Sequence, residues 1–255
     1  MEIKILRLII DLFFSKLIIV FYKNNKFFIK TIRQINMSET VGENIFIFVP
    51  NIIGYARIIL AIIAFYFMPT NYIIASTCYV VSALLDAFDG HAARYFNQGT
   101  KFGAMLDQLT DRCGTMGLVA VLVHLYPKYM FPLLISMCID VACHWIYLHT
   151  SILQGKQSHK FIDMSDNPVM GIYYSNRTVL FFMCAGNEAF FAALYLLHFT
   201  EGPLVAGLSL FRIILYFSAP IMLLKTFISL LHCVVAAKNL AIIDVNERKK
   251  LLKSE

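Results

Sequence analysis

The sequence contains few charged residues. Lysine, arginine, aspartate and glutamate together make up 15% of its 255 residues, whereas hydrophobic residues make up 59%. A soluble domain usually carries about 25% charged residues. This deficit excludes an ordinary soluble protein, and we predict an all-α membrane protein that crosses the bilayer several times.

Other common sequence features are also missing. No two of the six cysteines form a C-x-x-C pair, and all lie in or beside apolar runs, which argues against a zinc site or a disulfide framework. The apolar segment 3–22 has no small-residue cleavage site, so it is not a predicted signal peptide. Because it is broken by charged residues, we predict a helix at the membrane surface there, with a seventh span as the alternative. The basic residues are not interleaved with aromatic residues in a soluble domain, so no nucleic-acid partner is expected.

Six apolar segments are long enough to cross a bilayer. A helix of about 20 residues spans a hydrocarbon core about 30 Å thick. The predicted spans are residues 52–70, 72–92, 102–126, 131–150, 178–199 and 209–236. We therefore expect an amino-terminal extension at 1–42, a membrane domain at 43–240 and a basic cytosolic tail at 241–255.

The distribution of charge predicts an orientation. The formal net charge is +6, and basic residues such as Arg94, Lys101 and Lys238 lie at one set of helix ends, whereas the opposite loops offer little beyond Lys128. By the positive-inside rule the first set faces the cytosol. The glycosylation sequon Asn176-Arg-Thr178 would then lie on the cytosolic side, so we expect it to be unmodified.

Four aspartates lie close together at the end of the second span and the start of the third. Asp86 and Asp89 are three residues apart, and Asp107 and Asp111 are four apart, so each pair shares one helix face. Two facing helices can therefore direct four carboxylates at one volume. Ionised groups inside a membrane cost about 3 kcal/mol each and are usually functional. A structural ion pair with Lys or Arg remains an alternative for Asp86 taken alone.

Carboxylate oxygens are ligands for hard divalent cations. Such a site favours Mg²⁺ or Mn²⁺ over zinc, and two ions would neutralise four carboxylates. A metal pair held in this way suits phosphoryl transfer, because the ions can bind a diphosphate. Small residues near the aspartates leave room for a nucleotide, Arg94 can meet a phosphate or a pyrimidine base, and Thr100 can donate to a phosphate oxygen. The small residues are Gly90, Ala93 and Gly103.

The motif resembles the signature of the CDP-alcohol phosphatidyltransferases, D-x2-D-G-x2-A-R-x8-9-G-x3-D-x3-D. Every fixed position between Asp86 and Asp111 is filled. Stretches outside the motif, including Val49-Pro50-Asn51 and Asp140 to Thr150, are similar to the eukaryotic branch of this family that uses inositol as the acceptor. The resemblance covers roughly residues 43–245.

The resemblance implies six transmembrane helices around a cytosol-facing polar cavity, a homodimer, and residence in the endoplasmic reticulum membrane. It implies that Asp86, Asp89 and Asp107 ligate the metals, and that Asp111 ligates them and is the general base. CDP-diacylglycerol would be held by Gly90, Arg94 and Thr100, with Asn51 adding a nucleotide contact. The expected reaction transfers the phosphatidyl group to myo-inositol and releases CMP.

The residues that would bind the acceptor are less clearly marked. Inositol is uncharged and rich in hydroxyls, so its pocket needs several hydrogen-bonding groups. Four candidates near the cytosolic side are Asp140, His144, Lys160 and Arg177. Asp140 and His144 are four residues apart on one helix face, so the alternative is that they only pair with each other.

Three competing functions remain open at this point. An enzyme of the same chemistry could use glycerol phosphate, serine or choline as its acceptor. A cation channel or transporter would also explain costly intramembrane carboxylates, but not the glycines and arginine at fixed offsets. A catalytically dead scaffold is disfavoured because no motif position has been lost.

Overall fold

The structure is a computed structural model that describes residues 44–154, 176–205 and 207–253. It is built almost entirely from α-helices. A short 3₁₀ turn at Ile45–Ile47 precedes the helical region and is capped by the Asn44 side chain. The six long helices of the described residues are α1 (Val49–Phe67), α2 (Tyr72–Tyr95), α3 (Lys101–Leu125), α4 (Met130–Gln154), α5 (Arg177–Phe199) and α6 (Leu210–Leu251).

Polar residues cap several of these helices. The Asn71 side chain accepts hydrogen bonds from the backbone N–H groups of Ile73 and Ile74, both at 3.2 Å, at the start of α2. Thr100 accepts one from the Gly103 N–H at 3.0 Å at the start of α3. Such caps satisfy N–H groups that have no partner within the helix. They explain why these helices begin within a residue of the predicted boundaries.

The last helix is much longer than the predicted span. The apolar run ends near residue 236, but α6 continues to Leu251. Its final part is rich in Ala, Leu, Lys, Glu and Arg, which are good helix formers. At about 1.5 Å per residue, 42 residues reach about 63 Å, twice the thickness of a hydrocarbon core. The basic residues of the predicted tail are therefore a helical continuation of the last span.

Five helices of the described residues are long and apolar enough to cross a membrane. They begin at Val49, Tyr72, Pro127, Thr178 and Leu210. The protein is therefore an all-α, multi-pass membrane protein, as the sequence predicts. The helix α3 is also long, but its first half carries Asp107, Asp111 and Arg112. The predicted total of six spans requires that α3 also crosses the membrane, and this stays a prediction.

The outer surface of the helices is apolar. Large side chains such as Ile62, Phe131, Phe181 and Phe217 are between 60% and 76% exposed. In water so much exposed apolar surface would be unfavourable, whereas in lipid it is solvated. The six cysteines are free, and two of them, Cys113 and Cys138, are exposed.

The apolar core occupies one half of the helix bundle. It includes Met68 at the end of α1, Leu118 and Leu122 in the second half of α3, and Phe191 and Tyr195 in α5. The Tyr195 hydroxyl donates a 2.8 Å hydrogen bond to the Met68 carbonyl oxygen. The motif aspartates lie at the opposite ends of α2 and α3, so apolar packing and the polar site are separated along the helix axes.

A tight loop joins α5 to α6 on the side of the apolar core. It contains the two-stranded hairpin of β1 (Leu204–Val205) and β2 (Leu208–Ser209). Gly202 has φ of +69°, and a Cβ there would lie 2.6 Å from the Phe211 ring, so this position needs glycine. Glu201 pairs with Arg212, and this hydrogen bond lowers the pKa of the exposed Glu201 carboxyl.

Candidate active site

The two helices that carry the motif bring its aspartates together. Single carboxylate oxygens of Asp86 and Asp89 on α2 and of Asp107 on α3 all lie within 4.8 Å of one another. Asp111, one turn after Asp107, reaches the same centre through a shared partner. The convergence predicted from the three- and four-residue spacings is therefore present in the structure.

The shared partner is Arg57, in the middle of α1. Its Nη1 lies 2.7 Å from an oxygen of Asp89 and 2.6 Å from one of Asp107. Its Nη2 lies 2.7 Å from an oxygen of Asp86 and 2.5 Å from one of Asp111. Each terminal nitrogen of the guanidinium thus joins one carboxylate of α2 to one of α3.

Our sequence analysis did not select Arg57, although a signal was present. An arginine in the middle of an apolar span is costly, and it normally pairs with an acidic group or lines a polar cavity. The four motif aspartates were the obvious partners. Because Arg57 lies 29 residues before the first of them, the motif pattern does not include it.

The aspartate cluster is accessible from outside the protein. The side chains of Asp86, Asp107 and Asp111 are 43%, 45% and 38% exposed, whereas that of Asp89 is 10% exposed. The four carboxylates carry four formal negative charges and the Arg57 guanidinium carries one positive charge, so three negative charges have no counter-charge in these pairs. An oxygen-only donor set with excess negative charge and an open side fits hard divalent cations.

The proposed nucleotide-binding residues surround this cluster. Asn51 of α1 is buried beside the start of α3, where a Cβ on Gly103 would come within 2.8 Å of its Oδ1. Thr100 uses its hydroxyl oxygen to cap α3, which leaves its proton free to donate. Near the end of α2, a Cβ on Gly90 would make only ordinary van der Waals contact with the Arg94 side chain, whose Nη1 would be 3.7 Å away.

Arg94 and Ala93 complete the set on the last turn of α2. The Arg94 side chain is exposed and Ala93 is half-buried. The structure thus brings five of the six predicted nucleotide-binding residues to the last turns of α2 and the first turn of α3, with Asn51 packed against Gly103. Which of them contact a nucleotide stays a prediction.

A second polar network involves Arg112 and Thr115, which lie one and four residues after Asp111 on α3. Arg112 Nη1 lies 2.8 and 2.9 Å from the two carboxylate oxygens of Asp140 on α4. Glu188 on α5 accepts hydrogen bonds from Tyr79 at 2.8 Å and from Thr115. These contacts join four helices beside Asp111. The sequence analysis included Asp140 but missed Arg112, Tyr79 and Glu188.

The four predicted acceptor residues are only partly brought together. His144 Nδ1 lies 2.7 Å from the Asp140 backbone oxygen and 3.4 Å from its carboxylate, so these two residues do pair. Arg177 is the first residue of α5. Lys160 lies outside the described residues. The pairing of Asp140 with both Arg112 and His144 supports a structural role for it without excluding contact with a ligand.

A cavity lined by both polar and apolar side chains opens between α3, α4, α5 and α6. Its empty space, including the open mouth, is about 400 Å³. It is lined by Asp140, by Asn187 and Ser229, and by Lys225, whose residue is only 4% exposed. No ion pair of Lys225 occurs within the part of the chain that the structure describes. A buried lysine in a membrane helix usually marks a functional site.

Comparison with known proteins identifies the class of protein. Residues 47–235 match the sequence profile of CDP-alcohol phosphatidyltransferases. The match spans the aspartate cluster, Arg57 and the helices that hold them. The chain belongs to the CDP-alcohol phosphatidyltransferase family.

Several individual relatives of the chain within this family carry the same name. The chain is 59% identical over 208 residues to the CDP-diacylglycerol–inositol 3-phosphatidyltransferase of Homo sapiens, covering 82% of this chain and 98% of that protein. It is 57% identical over 214 residues to the Drosophila melanogaster protein of the same name, covering 84% and 94%. The Schizosaccharomyces pombe protein of that name is 40% identical over 230 residues, covering 83% and 96%. The alignments therefore cover nearly the whole length of these relatives.

Proposed function

We propose that this protein is a CDP-diacylglycerol–inositol 3-phosphatidyltransferase. It transfers the phosphatidyl group of CDP-diacylglycerol to myo-inositol and forms phosphatidylinositol and CMP. The observation that carries this proposal is the convergence of all four motif aspartates on one accessible centre, in a chain 59% identical to a relative of that name. An acidic centre at the end of apolar helices suits a substrate with lipid chains and a charged diphosphate.

The aspartates have distinct proposed roles. Asp86, Asp89, Asp107 and Asp111 would hold Mg²⁺ or Mn²⁺, which would supply positive charge to the diphosphate. Asp111 is also the proposed general base, since its side chain is 38% exposed at the edge of the centre. It accepts the proton of an inositol hydroxyl, whose oxygen attacks the phosphorus that carries the diacylglycerol. The bond from this phosphorus to the CMP oxygen breaks, and CMP leaves with the electron pair.

The residues around the end of α2 would bind the CDP group. Arg94 is exposed and can pair with a phosphate, and the missing side chain at Gly90 would allow close approach of the nucleotide. Ala93, Gly103, Thr100 and Asn51 would shape the rest of this site. The acyl chains would stay in the lipid, against the apolar outer surface of the helices.

The cavity next to Arg112 is the best-supported site for inositol. Among apolar side chains it presents one ammonium, one carboxylate and neutral amide and hydroxyl groups, and a single ammonium suits an uncharged polyol better than a phosphorylated acceptor. Thr115, which also lines it, is one helical turn from Asp111. Asp140 and Lys225 are therefore the proposed acceptor contacts, with His144, Lys160 and Arg177 as further candidates.

The decisive experiment measures CMP release by the purified protein in detergent with CDP-diacylglycerol and Mg²⁺. Inositol, glycerol 3-phosphate and serine are supplied in turn as acceptors. We expect release only with inositol, and Asp111→Asn should lower kcat by about 10²- to 10⁴-fold, the usual contribution of a general base. Release with another acceptor would change the substrate, and no release with any acceptor would reject the enzyme.

A second variant tests the inositol site in the same assay. Lys225→Met removes the ammonium at similar volume, and loss of a charged hydrogen bond should raise KM for inositol about tenfold or more. The KM for CDP-diacylglycerol should stay unchanged. Lys238→Met, at an exposed position between three and four turns later on α6, is the control. Equal effects on both KM values would place Lys225 outside the acceptor site.

We also propose a homodimer in the endoplasmic reticulum membrane with its active site facing the cytosol. The basic residues at the ends of α2, α3 and α6 on the side of the aspartates support this orientation. Membership of the family supports the proposed dimer.

A further inference from the structure

Arg57 has an unusual position for a residue outside the motif. It is 3% exposed, and its two terminal nitrogens contact all four motif aspartates at 2.5–2.7 Å. Asp86 and Asp89 belong to α2, whereas Asp107 and Asp111 belong to α3. Both nitrogens bridge the two helices, so this one side chain connects α1, α2 and α3.

The same carboxylates are the proposed metal ligands, so the Arg57 guanidinium and divalent metal ions would compete for them. A divalent ion binds carboxylate oxygens at about 2.0–2.6 Å. The oxygens facing the centre already accept hydrogen bonds from Arg57, and the guanidinium repels any further cation at this range. Without Arg57, however, four carboxylates would face one another near the membrane with no counter-charge, which is unfavourable.

We propose that Arg57 is a positioning residue that acts as the resident counter-ion of the aspartate cluster. It holds the four carboxylates together when no metal is bound, and it gives up some of these contacts when divalent cations bind. Arg57 thereby sets the metal concentration at which the site fills. This inference rests on the proposed function, in which the aspartates ligate the metals.

A merely structural ion pair predicts something different. If Arg57 only anchored α1, its replacement would lower stability equally with and without metal, and metal affinity would fall or stay the same. A counter-ion that competes with metal has two opposite effects. Its removal destabilises the metal-free protein and tightens metal binding.

The test measures Mn²⁺ binding and thermal unfolding of the full-length protein in detergent, without substrates. Free Mn²⁺ is followed by electron paramagnetic resonance during titration of wild type, Arg57→Gln and Arg57→Lys. We expect Arg57→Gln to bind Mn²⁺ about tenfold more tightly or better, because the competing charge is gone. Its unfolding midpoint in EDTA should fall below that of wild type, and saturating Mn²⁺ should restore most of the difference.

The lysine variant and a remote control make the result specific. Arg57→Lys keeps the charge but loses the planar fork that reaches four carboxylates, so its affinity should lie between those of wild type and Arg57→Gln. Arg212→Gln removes an arginine from an exposed ion pair far from the motif and should leave Mn²⁺ affinity unchanged. If Arg57→Gln does not fold even with Mn²⁺, the Mn²⁺ affinity of Arg57→Lys is compared with that of wild type instead.

The outcomes separate the two proposals. Wild type that fails to bind Mn²⁺, or that binds it as well after Asp89→Asn, would reject the metal site itself. If wild type binds and Asp89→Asn does not, the metal site stands. Unchanged or weaker Mn²⁺ binding by the Arg57 variants would then overturn only the counter-ion role.

Discussion

At the scale of single residues, the two motif glycines have different surroundings. A Cβ on Gly103 would lie 2.8 Å from Asn51 Oδ1 and 3.2 Å from Thr100 Oγ1, both within the protein. A Cβ on Gly90 would meet no atom closer than 3.7 Å. The sequence predicts that both glycines leave room for a nucleotide. The structure shows close packing at Gly103, whereas a Cβ on Gly90 would make only an ordinary contact with the exposed Arg94 side chain.

This contrast predicts different effects of the same substitution. Gly103→Ala should lower the free energy of unfolding by about 1–3 kcal/mol, because the added methyl overpacks the contact with Asn51. Gly90→Ala should leave thermal unfolding nearly unchanged but raise KM for CDP-diacylglycerol about tenfold or more by displacing the nucleotide. Thermal unfolding and steady-state kinetics measure the two effects. Equal loss of stability in both variants would contradict the distinction.

At the scale of the helices, α3 is the central element of the site. It supplies Asp107 and Asp111 to the cluster, and Arg112 and Thr115 to the network beside it. Its second half packs into the apolar core through Leu118 and Leu122. The position of the two aspartates therefore depends on how closely α3 approaches α1. At Gly117 a Cβ would lie only 2.3 Å from the Phe65 ring of α1.

Two glycines one turn apart on α3 test this dependence. Gly117→Ala should push α3 away from Phe65, destabilise the protein by about 1–3 kcal/mol or more and lower CMP release. Gly114→Ala is the matched control, since its Cβ would meet only the Tyr79 hydroxyl at 4.0 Å. That variant should be neutral or stabilising by up to about 1 kcal/mol, because alanine favours the helix. Thermal unfolding of both variants in detergent measures these effects. If Gly117→Ala is as stable as wild type, close packing of α3 against α1 at this point is refuted.

At the scale of the whole molecule, the bundle separates an apolar half from a polar half. The apolar core and the Glu201–Arg212 loop lie toward one set of helix ends, and the aspartates lie toward the other. Basic residues accompany the aspartates, as expected for a cytosolic face. This orientation places all loops at the aspartate end on one side of the membrane and all loops at the other end on the opposite side. Labelling one loop position at each end therefore tests it.

Cysteine labelling in sealed endoplasmic reticulum vesicles checks this orientation. In a chain with its six native cysteines replaced, Lys101→Cys should react with a membrane-impermeant thiol reagent added outside. Lys128→Cys should react only after permeabilisation, because it lies at the opposite ends of the helices. Both positions are exposed, so accessibility within the protein does not differ. The reverse labelling pattern, or a glycan on native Asn176, would show that the opposite orientation is correct.

Much of this protein follows from its sequence alone. Low charge and long apolar runs determine an all-α membrane protein. Backbone groups in lipid must be hydrogen-bonded within helices or closed barrels, and uninterrupted apolar runs of about 20 residues are typical of helices, whereas barrel strands are shorter and alternate in polarity. The spacing of the four aspartates determines that they share helix faces, and the motif around them identifies the family. These features are local in sequence, so they can be recognised without coordinates.

Only the tertiary structure decided what neutralises the aspartates and what surrounds them. Arg57, Glu188 and Lys225 are distant from the motif in sequence and meet its neighbourhood only when the helices pack. Arg112 directly follows Asp111, but its partner Asp140 lies on another helix. Their partners depend on which faces of the helices meet, and apolar periodicity does not specify this for helices surrounded by lipid. Arg57 was therefore visible in the sequence as a costly residue with candidate partners in the motif, but only the packing of α1 against α2 and α3 shows that this one side chain contacts all four aspartates.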